Sequence, residues 1–187
     1  MGEGNRQGDV DELQWERNTM KKTKGLFVLA ILMGLALSGY CIAEDKAEPG
    51  EIVKKVQDAA SVLAKSGEAG LAEFNKTDGP WVWKDTYVFV YNCEQGTIAA
   101  HPTSPHLIGK NMTGLKDIKG NLFFGQLCDA ARKPKGGWIE YWWPKPGEKE
   151  PLRKISFMLQ AQGTPYQVGA GIYEDAVSVQ DLEKSIQ

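Results

Sequence analysis

Residues 138–173 read WIEYWWPKPGEKEPLRKISFMLQAQGTPYQVGAGIY, and the punctuation of this stretch decides the fold. Three apolar and aromatic runs, Trp138 to Trp143, Leu152 to Gln162 and Tyr166 to Tyr173, are separated by Pro144-Lys145-Pro146-Gly147 and by Gly163-Thr164-Pro165. Proline presets φ at a turn and withholds a ladder donor, and glycine supplies the positive φ of tight turns, so both separators are hairpin chemistry. The stretch predicts a three-stranded antiparallel meander.

Upstream, Phe123, Phe124, Leu127, Cys128 and Ala131 recur at helical spacing, which predicts a helix over 122–132 with Asn121 as its cap and Gly136-Gly137 beyond its end. Residues 107–120 hold three glycines and read as a turn-rich connector. Tyr87 to Tyr91 is a continuous aromatic and β-branched run, a buried strand that turns at Glu94-Gln95-Gly96 into a second strand over 97–100. His101-Pro102 through Pro105-His106 ends that strand, because each proline restricts the residue before it. Ile52, Val56, Ala59, Ala60 and Leu63 mark one face of a long amphipathic helix, which Leu71 and Phe74 extend as far as Asp78-Gly79-Pro80. The order predicts an α+β domain: a five-stranded antiparallel sheet, a long N-terminal helix and a helical connector, with the helices on one side of the sheet.

Composition narrows the function classes. Of 187 residues, 42% are hydrophobic and 25% charged, which excludes a large multidomain enzyme. A net charge of -2 leaves no electrostatic excess for nucleic acid. Lys21, Lys22 and Lys24 run into the apolar stretch Leu26 to Leu37, which is short for a bilayer span and reads as a secretory signal over 20–43, cleaved after Ala43. An uncleaved anchor is the alternative. Residues 1–19 then read as a polar extension from an upstream start, and 44–187 as the single exported domain. Loss of Cys41 with the signal leaves Cys93 and Cys128, an even pair in an oxidising compartment, and they are expected to bond. No GxSxG, HExxH, P-loop or dinucleotide fingerprint occurs, so neither an enzyme nor a cofactor is expected. His101, His106 and a cysteine have no recognised zinc spacing.

The strings Tyr87-Val88-Phe89-Val90-Tyr91, Ala100-His101-Pro102, Leu107-Ile108-Gly109-Lys110-Asn111, Gly136-Gly137-Trp138-Ile139-Glu140-Tyr141, Trp143-Pro144-Lys145-Pro146-Gly147, Arg153-Lys154-Ile155-Ser156-Phe157 and Val168-Gly169-Ala170-Gly171-Ile172-Tyr173 come in the order of a known family. Together they resemble the single-Cache type 2 family of PAS-like extracytoplasmic sensor domains. The resemblance implies a receptor for small molecules, often short carboxylic acids, of the kind found in chemoreceptors and sensor kinases. Because the chain ends fourteen residues after Tyr173, the expectation is a periplasmic module that signals through a membrane sensor kinase or chemoreceptor. A small-molecule carrier for uptake, or an interaction module whose pocket is filled by its own rings, are the competing readings.

Period-two alternation places Lys154, Ser156, Met158 and Gln160 on one face and Ile155, Phe157, Leu159 and Ala161 on the other. The first face is either solvated or a ligand face; the resemblance makes Lys154 an anion partner and adds Lys110 from the connector. His101, beside a proline at the strand end, is either a donor to a carboxylate or a cap of its own loop. Tyr141 and Trp143 share a face and Trp138 takes the other; the rings read mostly as core, with one or two expected to line a pocket, Tyr141 as a donor and Trp138 or Trp143 as an apolar wall. Gly169 and Gly171 clear space either for a ligand or for close packing.

Overall fold

The computed structural model describes residues 45–186; the expected extension 1–19, the signal 20–43 and its cleavage site lie outside them. Helix α1 spans Pro49–Ser66, with proline in its first turn and the Glu51 carboxylate accepting the Glu48 N–H at 3.0 Å. It ends where Gly67 takes a positive φ, and the chain continues as a 3₁₀ helix, Gly67–Asn75, which buries Phe74 against Trp81. Lys55 donates to the Pro80 carbonyl at 2.9 Å and lies over the rings of Trp81 and Trp83.

A short hairpin that the sequence reading lacks follows: β1, Val82–Trp83, pairs with β2, Thr86–Tyr87. The main sheet is built from β3, Phe89–Asn92, β4, Thr97–Ala100, β5, Gly137–Pro144, β6, Pro151–Gln160, and β7, Tyr166–Ile172. Its order is β4-β3-β7-β6-β5, antiparallel throughout, so the last strand of the meander inserts beside β3 of the β3–β4 hairpin. Helix α2, Phe123–Ala131, lies in the connector and α3, Val179–Ser185, closes the described chain with Ser178 as its cap. Asn121 does not cap α2: it is held instead by Asp117, which takes both its backbone and side-chain N–H groups at 2.9 Å. No helix among the described residues is long and apolar enough to cross a membrane.

The helices do not share one side of the sheet. α1 and α3 cover one face, where Ile52, Val56, Leu63 and Leu182 meet Val88, Val90, Ile155 and Phe157. α2 covers the other, where Phe123, Phe124 and Leu127 meet Phe89, Tyr91, Tyr141 and Met158. Both faces are apolar, and each large side chain taken from water contributes about 1.5–3 kcal/mol, so each face requires its own cover. The solvated-face reading of the Lys154 side falls with this: Lys154, Ser156 and Met158 are all completely buried.

The β6–β7 pairing also explains the glycines of β7. A Cβ on Gly169 would lie 2.2 Å from the Met158 sulfur, and one on Gly171 would lie 2.3 Å from Ser156 Oγ, 2.6 Å from the Ile155 carbonyl and 3.0 Å from Lys154 Cε. The cleared space is filled by side chains of the neighbouring strands. Gly171→Ala is therefore expected to cost about 1–3 kcal/mol of stability by overpacking. Gly125→Ala, on the exposed side of α2 with nothing near its Cβ position, is expected to gain about 0.5–1 kcal/mol. Urea denaturation of both variants checks the pair; equal stabilities would mean that β7 shifts to make room.

Candidate functional site

The face under α2 carries the chemistry. Strand register sets Tyr141 directly opposite Lys154, Ser156 opposite Gly171, and Phe89 opposite Gly169, so these positions share that face. Lys154 Nζ has no hydrogen-bond partner among the described residues. It points instead at aromatic faces, 4.1 Å from the centroid of Tyr87, 4.9 Å from Tyr173 and 5.4 Å from Phe89. Ring quadrupoles return part of the hydration an ammonium loses on burial, but less than an anion would. Burial accordingly lowers the Lys154 pKa to about 7, against the opposing field of Asp85.

His101 lies in the same layer, its ring 4.8 Å from Tyr87 and 6.3 Å from Trp143. The Ser104 N–H donates to its Nδ1 at 3.1 Å, so the histidine caps its own loop, the structural one of its two expected roles. That same bond assigns the proton of the neutral ring to Nε2, leaving a second nitrogen as a donor. Burial, reinforced by the Lys154 charge, pushes the His101 pKa down to about 3, so the ring is neutral at physiological pH. Tyr141 stacks on Phe123 at 4.8 Å and shares a 3.1 Å hydrogen bond with Ser156. Trp143, half-buried, contacts Phe123 at 5.8 Å and also lines an open groove of about 620 Å³ with Thr103, Leu107, Leu115 and Pro146. Trp143 thus touches His101 and Phe123 and also lines that groove.

Two of the expected residues are elsewhere. Trp138 lies on the opposite face, packed on Phe157 at 5.4 Å within the α1 core, so it cannot wall a pocket that holds Lys154. Lys110 is exposed in the connector. Conversely, the site contains residues the sequence reading passes over. Tyr87 faces the hydroxyls of Tyr173 and Thr103 and the indole of Trp143, and burial pushes its pKa up to about 12. The Tyr173 hydroxyl, likewise raised by burial, donates to the Pro144 carbonyl at 2.8 Å. Beside them the β1–β2 turn delivers Asp85, whose buried carboxylate takes the Ala47 N–H at 2.9 Å and the Lys145 ammonium at 3.3 Å. Period-two spacing of Tyr87, Phe89 and Tyr91 was the available signal for the first of these; Asp85 and Lys145 had none, since a turn and a hairpin loop meet only in the fold.

Cys93, just after β3, and Cys128, on α2, are joined by a disulfide with their Cα atoms 5.8 Å apart. It fastens the covering helix to the strand that carries Phe89. No group of three or more metal-ligating side chains occurs among the described residues.

The Cache domain model matches residues 81–178. The sensor histidine kinase MctS of Rhizobium johnstonii is 32% identical over 166 residues, which are 89% of this chain and 32% of that protein. The methyl-accepting chemotaxis protein McpP of Pseudomonas putida is 31% identical over 80 residues, 43% of this chain and 15% of that one. The chain thus spans a third or less of these curated relatives. Among solved structures, the periplasmic sensor domain of a chemotaxis protein superposes with a TM-score of 0.56 at 28% identity, over 73% of this chain and all of that one. A Cache chemosensory domain described for carboxylic acid recognition superposes with a TM-score of 0.51 at 20% identity, over 92% of this chain and all of that one, a likeness of fold.

Proposed function

Because this chain belongs to the Cache domain family, we propose that it is an extracytoplasmic sensor domain whose ligand is a small monocarboxylate seated at Lys154. One observation carries the reading: a wholly buried lysine amino group without a hydrogen-bond partner among the described residues, ringed by aromatic faces. A carboxylate entering that ring supplies the missing counter-charge, and Lys154 with a neutral donor at His101 Nε2 replaces its lost hydration. One cation and neutral donors match a single negative charge; a phosphate dianion would be left under-compensated. The surrounding Tyr87, Phe89, Tyr173 and Trp143 favour a short, partly apolar tail, which enters from the groove beyond Trp143. The Cys93–Cys128 bond fits an oxidising compartment outside the cytoplasm. Occupancy would pass to a membrane signalling partner of the chemoreceptor or histidine-kinase kind.

A thermal-shift screen tests the ligand class. Acetate, propionate and lactate are compared with methylammonium, glycine and phosphate. A monocarboxylate at about a hundred times its Kd stabilises by about 2.7 kcal/mol and raises Tm by roughly 5–10 °C. Shifts confined to the amine, the amino acid or phosphate would remove the carboxylate reading. Silence from the whole panel would favour a module whose pocket its own rings fill.

A further inference from the structure

We propose that the site takes up its carboxylate together with a proton, so that above neutral pH its occupancy follows the undissociated acid rather than the anion. The inference rests on the carboxylate reading and adds a pH dependence to it.

The geometry around Lys154 Nζ supplies the reason. Tyr87 from β2, Phe89 from β3 and Tyr173 beyond β7 present ring faces to it. From β5, Tyr141 has its hydroxyl engaged by Ser156. His101, beyond β4, faces it as a neutral ring, because an Nδ1 that accepts the Ser104 N–H carries no proton. The carboxylate whose field reaches Lys154 is Asp85, and it is already held by the Ala47 N–H and by Lys145. Lys145 itself brings a second positive charge over the Tyr173 ring, 5.8 Å from its centroid.

The lysine is thus surrounded by aromatic faces and reached by a carboxylate already shared with Ala47 and Lys145. Under those conditions the neutral amine competes with the ammonium, which burial places near balance at neutral pH. An entering carboxylate reverses this, since an opposite charge at contact distance favours the ammonium. The balance is simple: amine, carboxylate and one proton from solvent give an ammonium–carboxylate pair, with no other bond formed or broken. A carboxylate plus a proton is the acid itself, so the concentration that sets occupancy above neutral pH is that of the acid form. Neither tyrosine supplies the proton's counterpart, because burial holds Tyr87 and Tyr173 protonated in this range.

The test is titration calorimetry on the purified full chain with acetate, propionate and lactate, at about pH 6, 7 and 8, in Tris and in HEPES, whose ionisation heats differ. The expected uptake is about half a proton at pH 7 and nearly one at pH 8, with Kd about tenfold weaker at pH 8 than at pH 6. Binding whose Kd is unchanged across this range, with equal heats in both buffers, would overturn the proton link and leave the carboxylate reading standing. Absence of heat from every acid at every pH would remove the carboxylate reading and this inference with it. Lys154→Arg, which keeps its charge throughout, is expected to bind without uptake. Uptake that persists in that variant would assign the proton to another group and overturn the proposal.

Discussion

Lys154→Met is expected to weaken carboxylate binding by at least about a hundredfold while making the protein more stable at neutral and acid pH. Removing one partner of a buried charge pair costs about 3–5 kcal/mol, and each 1.4 kcal/mol is tenfold in affinity. The stability effect has the opposite sign because no side chain among the described residues gives the Lys154 ammonium a hydrogen-bond partner. Its folded-state pKa, about 7, lies below the usual lysine value of 10.5. Between those values the unfolded chain binds more protons than the folded one, so stability rises with pH across this window. Below it both states are charged, and the fold carries the full cost of desolvating the ammonium. Methionine has a similar length and no charge, so it relieves that cost by about 1–4 kcal/mol at pH 6. The gain should shrink as pH approaches 10. Denaturant unfolding and calorimetry on one preparation measure both effects, with Lys149→Ala, in the exposed hairpin loop, as a control that changes neither. A Lys154→Met protein that binds within about threefold of the parent, or that loses stability at pH 6, would make the lysine a structural residue.

Much of the frame is legible because it is local. The three-and-four spacing of Ile52, Val56, Ala59 and Leu63 is α1, and the prolines and glycines at 144–147 and 163–165 are the turns of the meander. Alternation also sorts Lys154, Ser156 and Met158 correctly onto one face and Trp138 onto the other. What alternation cannot supply is what covers a face. Lysine, serine and glutamine in a strand have the signature of a solvated side, and only the placement of α2 and the connector over them turns Lys154 into a buried cation. The continuous apolar run from Tyr87 to Tyr91 did carry that information, since a strand apolar on both sides needs two covers. Tyr173 reaches the site because β7 inserts between β3 and β6, with Asn92 opposite Tyr166 and Phe89 opposite Gly169, a pairing between segments 74 to 80 residues apart that no window of sequence displays. Asn121 illustrates a local competition decided the other way: it has the chemistry of a helix cap, but Asp117 four residues earlier satisfies it first.

Reduction of the Cys93–Cys128 bond is expected to cost about 3–4 kcal/mol and to loosen one face of the domain before the other. The two cysteines are 35 residues apart, and opening a loop of that size returns about this much chain entropy to the unfolded state. For a domain of this size the loss lowers Tm by roughly 10 °C. The loop closed by the bond contains β4, His101, the connector and most of α2, so most of what covers the aromatic face lies within it. α1 lies outside it and keeps its own contacts with β6 and β7. Reduced protein should therefore lose amide protection across residues 105–131 ahead of residues 52–63, because a local opening that spares α1 has become cheaper than the global one. Ligand affinity should fall with it, since a cover that opens exposes Lys154 to water and removes the low-dielectric surroundings that make its counter-charge valuable. Hydrogen exchange with and without reductant, and the Cys93→Ser, Cys128→Ser double variant under the same conditions, measure both effects. Uniform loss of protection in α1 and α2 alike would show that the bond stabilises only the domain as a whole, and an unchanged midpoint would show that packing of Phe123, Phe124 and Leu127 holds the cover without it.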